Sequence, residues 1–184
     1  AGTTGTQTVA YALSLLGLRV VHFIELWDPW GRRNESFGDG STEDLGKQMQ
    51  MYRLWGVGRE NMSFCLMKGN TLPFRKLEAV DAVFDSPFPE YSYDLIRAFP
   101  NARVVLTVRE PSEWVEKRIA SHTGAEAHFL RPCGVKLSSL PDPVGAKLFE
   151  ATNDWVTCVG GPDRFLKIDV FKQNRDYDLW NQLM

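Results

Sequence analysis

The sequence predicts an α/β fold with a parallel sheet, and three observations carry that expectation. Short apolar, β-branched runs alternate with stretches of helical periodicity. The run Arg103-Val104-Val105-Leu106-Thr107-Val108 reads as a buried strand. It leads into a helix that Pro111 can start, since the first helical position needs no amide hydrogen. Finally, a Gly- and Thr-rich stretch over residues 1–8 opens directly onto the first helix. Strands alternating with helices imply βαβ units, whose ligands gather at the C-terminal ends of the strands.

Val9, Leu13 and Leu16, with Ala10 and Ala12 beside them, give residues 8–16 a helical apolar face that Gly17 ends. Residues 19–24 are β-branched and aromatic and read as a short strand. Residues 27–40, rich in Gly, Asp, Asn, Arg and Pro, read as a loop. Ser41-Thr42-Glu43-Asp44 resembles a capping box and opens a helix through Leu45, Met49, Tyr52 and Leu54 to Gly56. The following stretch carries no clear pattern until residues 80–85, a buried strand ended by Ser86-Pro87. Residues 91–99 read as a helix closed by Pro100-Asn101, and the helix begun by Pro111 runs to about His122. Residues 124–142 are polar and read as a loop, 144–158 as a helix, 164–170 as a strand and 177–183 as a short helix. We expect one domain over residues 1–184.

Composition narrows the function classes. Hydrophobic residues make up 43% and charged residues 24%, the balance of a soluble globular protein. Twenty-one Lys and Arg against 23 Asp and Glu leave a formal charge of −2, which argues against a broad nucleic-acid surface. No apolar run has the length of a transmembrane segment, and no signal-peptide pattern is visible. Cys65, Cys133 and Cys158 are odd in number, far apart and free of CxxC spacing. That disfavours a disulfide framework or zinc site and mildly favours a reducing compartment, with one disulfide and one spare thiol left open.

Gly2-Thr3-Thr4-Gly5-Thr6-Gln7-Thr8 carries the first candidate chemistry. Glycine lets backbone amides approach a ligand, threonine hydroxyls add donors, and a helix N-terminus offers unpaired N–H groups and a positive dipole end. These favour bound phosphate; a Ser/Thr/Gly-rich cap of an ordinary helix is the bland alternative. The Walker pattern needs a Lys after its second glycine, and Thr6 follows Gly5 here, which disfavours a magnesium-dependent NTPase.

The loop resembles the one that sulfotransferases use for 3′-phosphoadenosine 5′-phosphosulfate, written PRxGTxS or PKxGTT. A second stretch, Val104 through Arg109-Glu110-Pro111 to Trp114, resembles that family's buried strand, Arg-x-Pro turn and helix with Trp three residues past the proline. The order of Asp81-Ala82-Val83-Phe84-Asp85-Ser86-Pro87, Phe99-Pro100-Asn101-Ala102-Arg103-Val104 and the run from Gly161 to Val170 is similar to a divergent branch of the family.

The resemblance implies a P-loop NTPase-like three-layer fold with a parallel sheet. In that fold a first strand precedes the loop, and this chain, which starts on Ala1 inside the motif, is expected to lack it. It further implies that Gly2, Thr3, Thr4, Gly5, Thr6, Gln7 and Thr8 hold the donor's phosphates, that Arg109 holds the 3′-phosphate, and that no metal is needed. The family shares that phosphate with a Ser eight residues after the Arg, where Lys117 stands here. It also carries a Lys or Arg in the loop for the leaving group, where Thr3 stands.

Sulfuryl transfer also needs a base for the acceptor's proton. Asp85, at a strand's C-terminal end, is the best-placed candidate and His22 the second; a turn cap and a core or edge histidine are their bland alternatives. Arg109 could instead be a surface ion-pair partner of Glu110 or Glu113. Trp27, Trp30, Phe37, Tyr52 and Trp55 could line an acceptor pocket or simply pack in a core.

Three functions remain in order of support. The first is a sulfotransferase acting on an unidentified hydroxyl or amine acceptor. The second is a pseudoenzyme, a non-catalytic subunit of a larger assembly with other protein subunits. The third, a kinase-like protein, lacks the Walker lysine.

Overall fold

The computed structural model describes residues 4–23, 25–27, 33–34, 41–56, 62–122, 126–130 and 133–171. Helix α1 (Thr6–Leu15) buries Val9, Ala10 and Leu13 along one face, and Tyr11 and Leu15 face outward. Gly17, with φ 87°, ends it: its amide bonds the Ser14 carbonyl and the Leu18 amide bonds that of Leu13. The chain then enters β1 (Val20–His22), turns into β2 (Glu25–Trp27) and reaches β3 (Arg33–Asn34).

Helix α2 (Ser41–Gly56) presents Leu45, Met49 and Tyr52 at helical spacing to a core that includes Val21, Leu77, Phe88 and Tyr91. Helix α3 (Met62–Asn70) and a 3-10 turn (Phe74–Ala79) lead to β4 (Ala82–Phe84). Then follow α4 (Ser92–Ala98), β5 (Val104–Thr107), α5 (Pro111–Ser121), β6 (Glu126–Leu130), β7 (Cys133–Lys136), α6 (Asp142–Gly160) and β8 (Phe165–Ile168).

The α/β class with parallel strand pairs is as the sequence predicts, but the sheet is divided. One sheet has the order β3-β2-β1-β4, with β1 parallel to β4 and antiparallel to β2; β5 and β8 form a separate parallel pair. Between β4 and β5 lies a cleft of about 1380 Å³.

Two expected loops contain strands. Within residues 27–40, Arg33 and Asn34 pair with Trp27 and Leu26. Within residues 124–142, β6 and β7 form a bulged antiparallel hairpin. Its Ala127 joins Trp114, Val115, Leu137 and Phe149 in a second core, where the Trp114 and Phe149 rings stack at 4.2 Å. Tertiary burial, rather than local propensity, holds this hairpin. The expected helix at 177–183 lies outside the described residues.

Cys133 is disulfide-bonded and Cys158 is an exposed free thiol. The one-disulfide alternative therefore holds. Among the described residues no helix is long and apolar enough to cross a membrane.

Candidate functional site

The loop entering α1 turns on Gly5, whose φ of 85° is the left-handed region. A β-carbon there would be strained, would collide with Val170 Cγ2, and would lie 3.6 Å from Phe171 Cε2. The Gly5 carbonyl accepts from the amides of Thr8 (3.1 Å) and Val9 (3.3 Å), so helical bonding begins at this residue. The first turn of α1 holds no acidic residue and no side-chain cap. Its positive end is thus left without an anion from its own turn.

Two threonines anchor the loop to the sheet. Thr4, 1% exposed, has its hydroxyl 2.8 Å from that of Thr107 at the end of β5. The Thr6 hydroxyl lies 3.4 Å from His22 Nε2 at the end of β1. The same nitrogen is 3.6 Å from Oδ2 of Asp85, just past β4. Residues 4–6 therefore sit where the C-terminal ends of β1, β4 and β5 converge, the place where open α/β sheets bind ligands.

Asp85 adopts φ 61°, an uncommon conformation for a residue with a side chain. Its Oδ1 accepts from the Ser86 amide at 2.8 Å while Oδ2 faces His22. The capping role and the proximity to His22 coexist in one carboxylate. Both side chains are largely buried, His22 at 13% and Asp85 at 20% exposure.

Arg109 makes the ion pair with Glu113 that the bland alternative expects, but not as a surface residue: its side chain is only 10% exposed. Its guanidinium lies 3.6 Å from the centre of the Phe171 ring. Its Nε is 3.7 Å from Glu113 Oε1, too far for a hydrogen bond, and is buried with no hydrogen-bond partner. Phe171 thus neighbours both candidate elements: its ring faces the Arg109 guanidinium, and a β-carbon on Gly5 would come within 3.6 Å of it. Val170 lies against Gly5, and the Phe171 ring is packed near both Gly5 and Arg109.

The remaining candidates are dispersed. Gly2 and Thr3 lie outside the described residues. Gln7 and Thr8 are exposed on α1, and Lys117 is half exposed with its Nζ 3.5 Å from neighbouring Glu116. Of the aromatic set, Tyr52 is a core residue. The side chains of Trp27, Trp30, Phe37 and Trp55 lie outside the described residues.

Sequence reasoning missed Thr107 and Phe171. Thr107 had a signal, a polar residue ending the most apolar strand two positions before Arg109. Phe171 had none, because its place follows from the pairing of β8 with β5.

No curated protein and no solved structure matches the chain. A family model described as a sulfotransferase domain matches residues 1–133, which contain the loop, His22, Asp85, Arg109 and Lys117. That match spans well over half of the 184 residues. The chain belongs to the sulfotransferase domain family, whose general chemistry is sulfuryl transfer from a nucleotide donor to an acceptor.

Proposed function

We propose that this chain binds 3′-phosphoadenosine 5′-phosphosulfate and transfers its sulfuryl group to a hydroxyl or amine. The observation that carries the reading is Arg109: a nine-tenths buried guanidinium whose Nε has no hydrogen-bond partner, on the same phenyl ring that abuts the Gly5 loop. Glu113, 3.7 Å away, offsets part of its charge but accepts no hydrogen bond from Nε, and an anion that did so would relieve the cost of that buried donor. The 3′-phosphate is that anion in this reading, with Phe171, 44% exposed, turning outward to admit it.

The donor supplies the sulfuryl group and a phosphate leaving group. The open amides at the start of α1 hold its phosphates, with the hydroxyls of Thr3 and Thr8 beside them, while those of Thr4 and Thr6 are turned to Thr107 and His22. Asp85 takes the acceptor's proton, and His22 beside it shares that charge. Lys117 is not drawn toward the loop by any contact here, so Arg109 carries the 3′-phosphate.

The test is transfer of labelled sulfate from this donor to acceptors in an extract. Asp85→Asn and His22→Gln should each lower the rate by about 10²–10⁴-fold, and Arg109→Gln should weaken donor binding more than tenfold. Absence of transfer with every acceptor fraction, at full donor occupancy, would refute the catalytic reading.

A second reading, a non-catalytic assembly subunit, draws on Phe171 over Arg109 and on the uncharged Thr3 in the loop. If Thr3→Arg created activity that the natural sequence lacks, this reading would replace the first.

A further inference from the structure

At the end of β1 one nitrogen faces two oxygens. His22 Nε2 lies 3.4 Å from the Thr6 hydroxyl and 3.6 Å from Oδ2 of Asp85. The two oxygens ask different things of it. Asp85, as a carboxylate, can only accept, so it favours a hydrogen on Nε2. The Thr6 hydroxyl can accept too, but its single hydrogen also needs an acceptor, and a bare Nε2 supplies one. A neutral imidazole carries its hydrogen on one nitrogen, and the partners of the two nitrogens decide which. Nε2 therefore cannot take the Thr6 hydrogen and give one to Asp85 at the same time.

The backbone keeps both oxygens in place. Asp85 holds φ 61°, and its Oδ1 accepts from the Ser86 amide at 2.8 Å while Oδ2 lies on the His22 side. Thr6 is buried and is the first residue of α1. Its hydroxyl thus sits at the helix start, where an anion meets open amides. That first turn adds no acidic residue to the contest. On the other flank β2 sets Glu25 opposite His22 in register, and β4 sets Phe84 there.

We propose that His22 couples the phosphate loop to Asp85, because an anion at the start of α1 draws the Thr6 hydrogen and leaves Nε2 to hold one for the carboxylate. In the empty site Thr6 donates to a bare Nε2 in part of the molecules, with the ring hydrogen on Nδ1. A phosphate oxygen is the stronger acceptor. When it binds, the hydroxyl hydrogen rotates to it, and the ring with hydrogen on Nε2 then suits both the Thr6 oxygen and Asp85. The ring hydrogen moves between nitrogens by exchange with water, so no net proton is gained. Asp85 is then held at both oxygens, by Ser86 and by His22, and is aimed only when the loop is occupied. His22 is a positioning residue in this account. The inference rests on the donor reading above and adds to it a link between its two halves.

Nitrogen-15 spectra of the histidine side chains test it at about pH 8.5, above the ordinary histidine range. His22→Gln identifies the His22 signals among the three histidines. Saturating adenosine 3′,5′-bisphosphate should raise the ratio of Nε2–H to Nδ1–H at His22 about three- to tenfold. Thr6→Val should bind this ligand up to about tenfold more weakly and show no such rise at saturation; Thr6→Ser should restore it. Asp85→Asn, whose amide can donate as well as accept, should also lose most of the rise, and asparagine tolerates the left-handed backbone if Thr6→Val does not fold. Calorimetry on the same samples reports occupancy. Bound ligand with an unchanged ratio, or the full rise in Thr6→Val or Asp85→Asn, would overturn the coupling and leave the donor reading standing. Absence of binding to the natural sequence would end both.

Discussion

Gly5 carries a constraint that Gly17 does not share. Both have φ near +85°, but a β-carbon at Gly17 meets nothing within 4 Å, whereas at Gly5 it meets Val170. Gly17→Ala should cost only the left-handed penalty, about 1–2 kcal/mol. Gly5→Ala should add about 1–3 kcal/mol of overpacking. Urea unfolding of the two variants reads the difference, and equal losses would mean that Val170 yields freely.

Phe171→Ala should bind adenosine 3′,5′-bisphosphate severalfold more tightly by titration calorimetry, because the ring shields Arg109; weaker binding would make Phe171 part of the site. Thr107→Val strands the buried Thr4 hydroxyl and should cost about 1–2 kcal/mol. At this scale the sequence was informative where a residue type has one strong use. Gly before a helix and Arg after a buried strand both fall at the converging strand ends. Phe171 was illegible, since an aromatic after a strand has no preferred partner until β8 and β5 pair.

At the scale of elements, the start of β1 is tied to the start of β4. Asp81 accepts from the Arg19 amide at 2.8 Å and from its Nε at 3.2 Å and Nη2 at 3.4 Å. The Arg19 side-chain and backbone donors hold the Asp81 carboxyl below its usual range. A depressed folded-state value means stability that is present above the unfolded carboxyl's range and lost as pH falls through the folded one. Asp81→Asn should therefore narrow the gap between stability at neutral pH and in acid, by no more than about 1 kcal/mol, because both side chains are substantially exposed. Denaturation midpoints across that range check it; an unchanged pH profile would contradict the coupling.

Glu110 shows the same direction: it caps α5 through the Glu113 amide at 2.7 Å and is held below its usual range by that bond. Helices with a proline start or a clear apolar stripe were legible, as α5 and α2 show. The β6–β7 hairpin was not, because Gly124, Pro132 and Gly134 mask a strand pair held by packing on Trp114 and Phe149.

At the scale of the molecule, alternation of strands and helices conveyed the class, but not the division of the sheet. No local pattern reports which strand edges lack a neighbour; β4 and β5 each read as ordinary buried strands. What the whole arrangement adds is convergence, since residues 22, 85 and 107 come from the ends of β1, β4 and β5 and meet at one loop, with Arg109 two residues past β5. The central claim is that this convergence holds an anionic nucleotide. Thermal unfolding with adenosine 3′,5′-bisphosphate measures it most directly, on the natural sequence and on Arg109→Gln. At about 100 times the dissociation constant the ligand should contribute about 2.7 kcal/mol. That corresponds to a rise of roughly 5–10 °C for a chain of this size. The account predicts this rise for the natural sequence and most of it lost in Arg109→Gln. No rise at saturating ligand, or the same rise in both proteins, would contradict it.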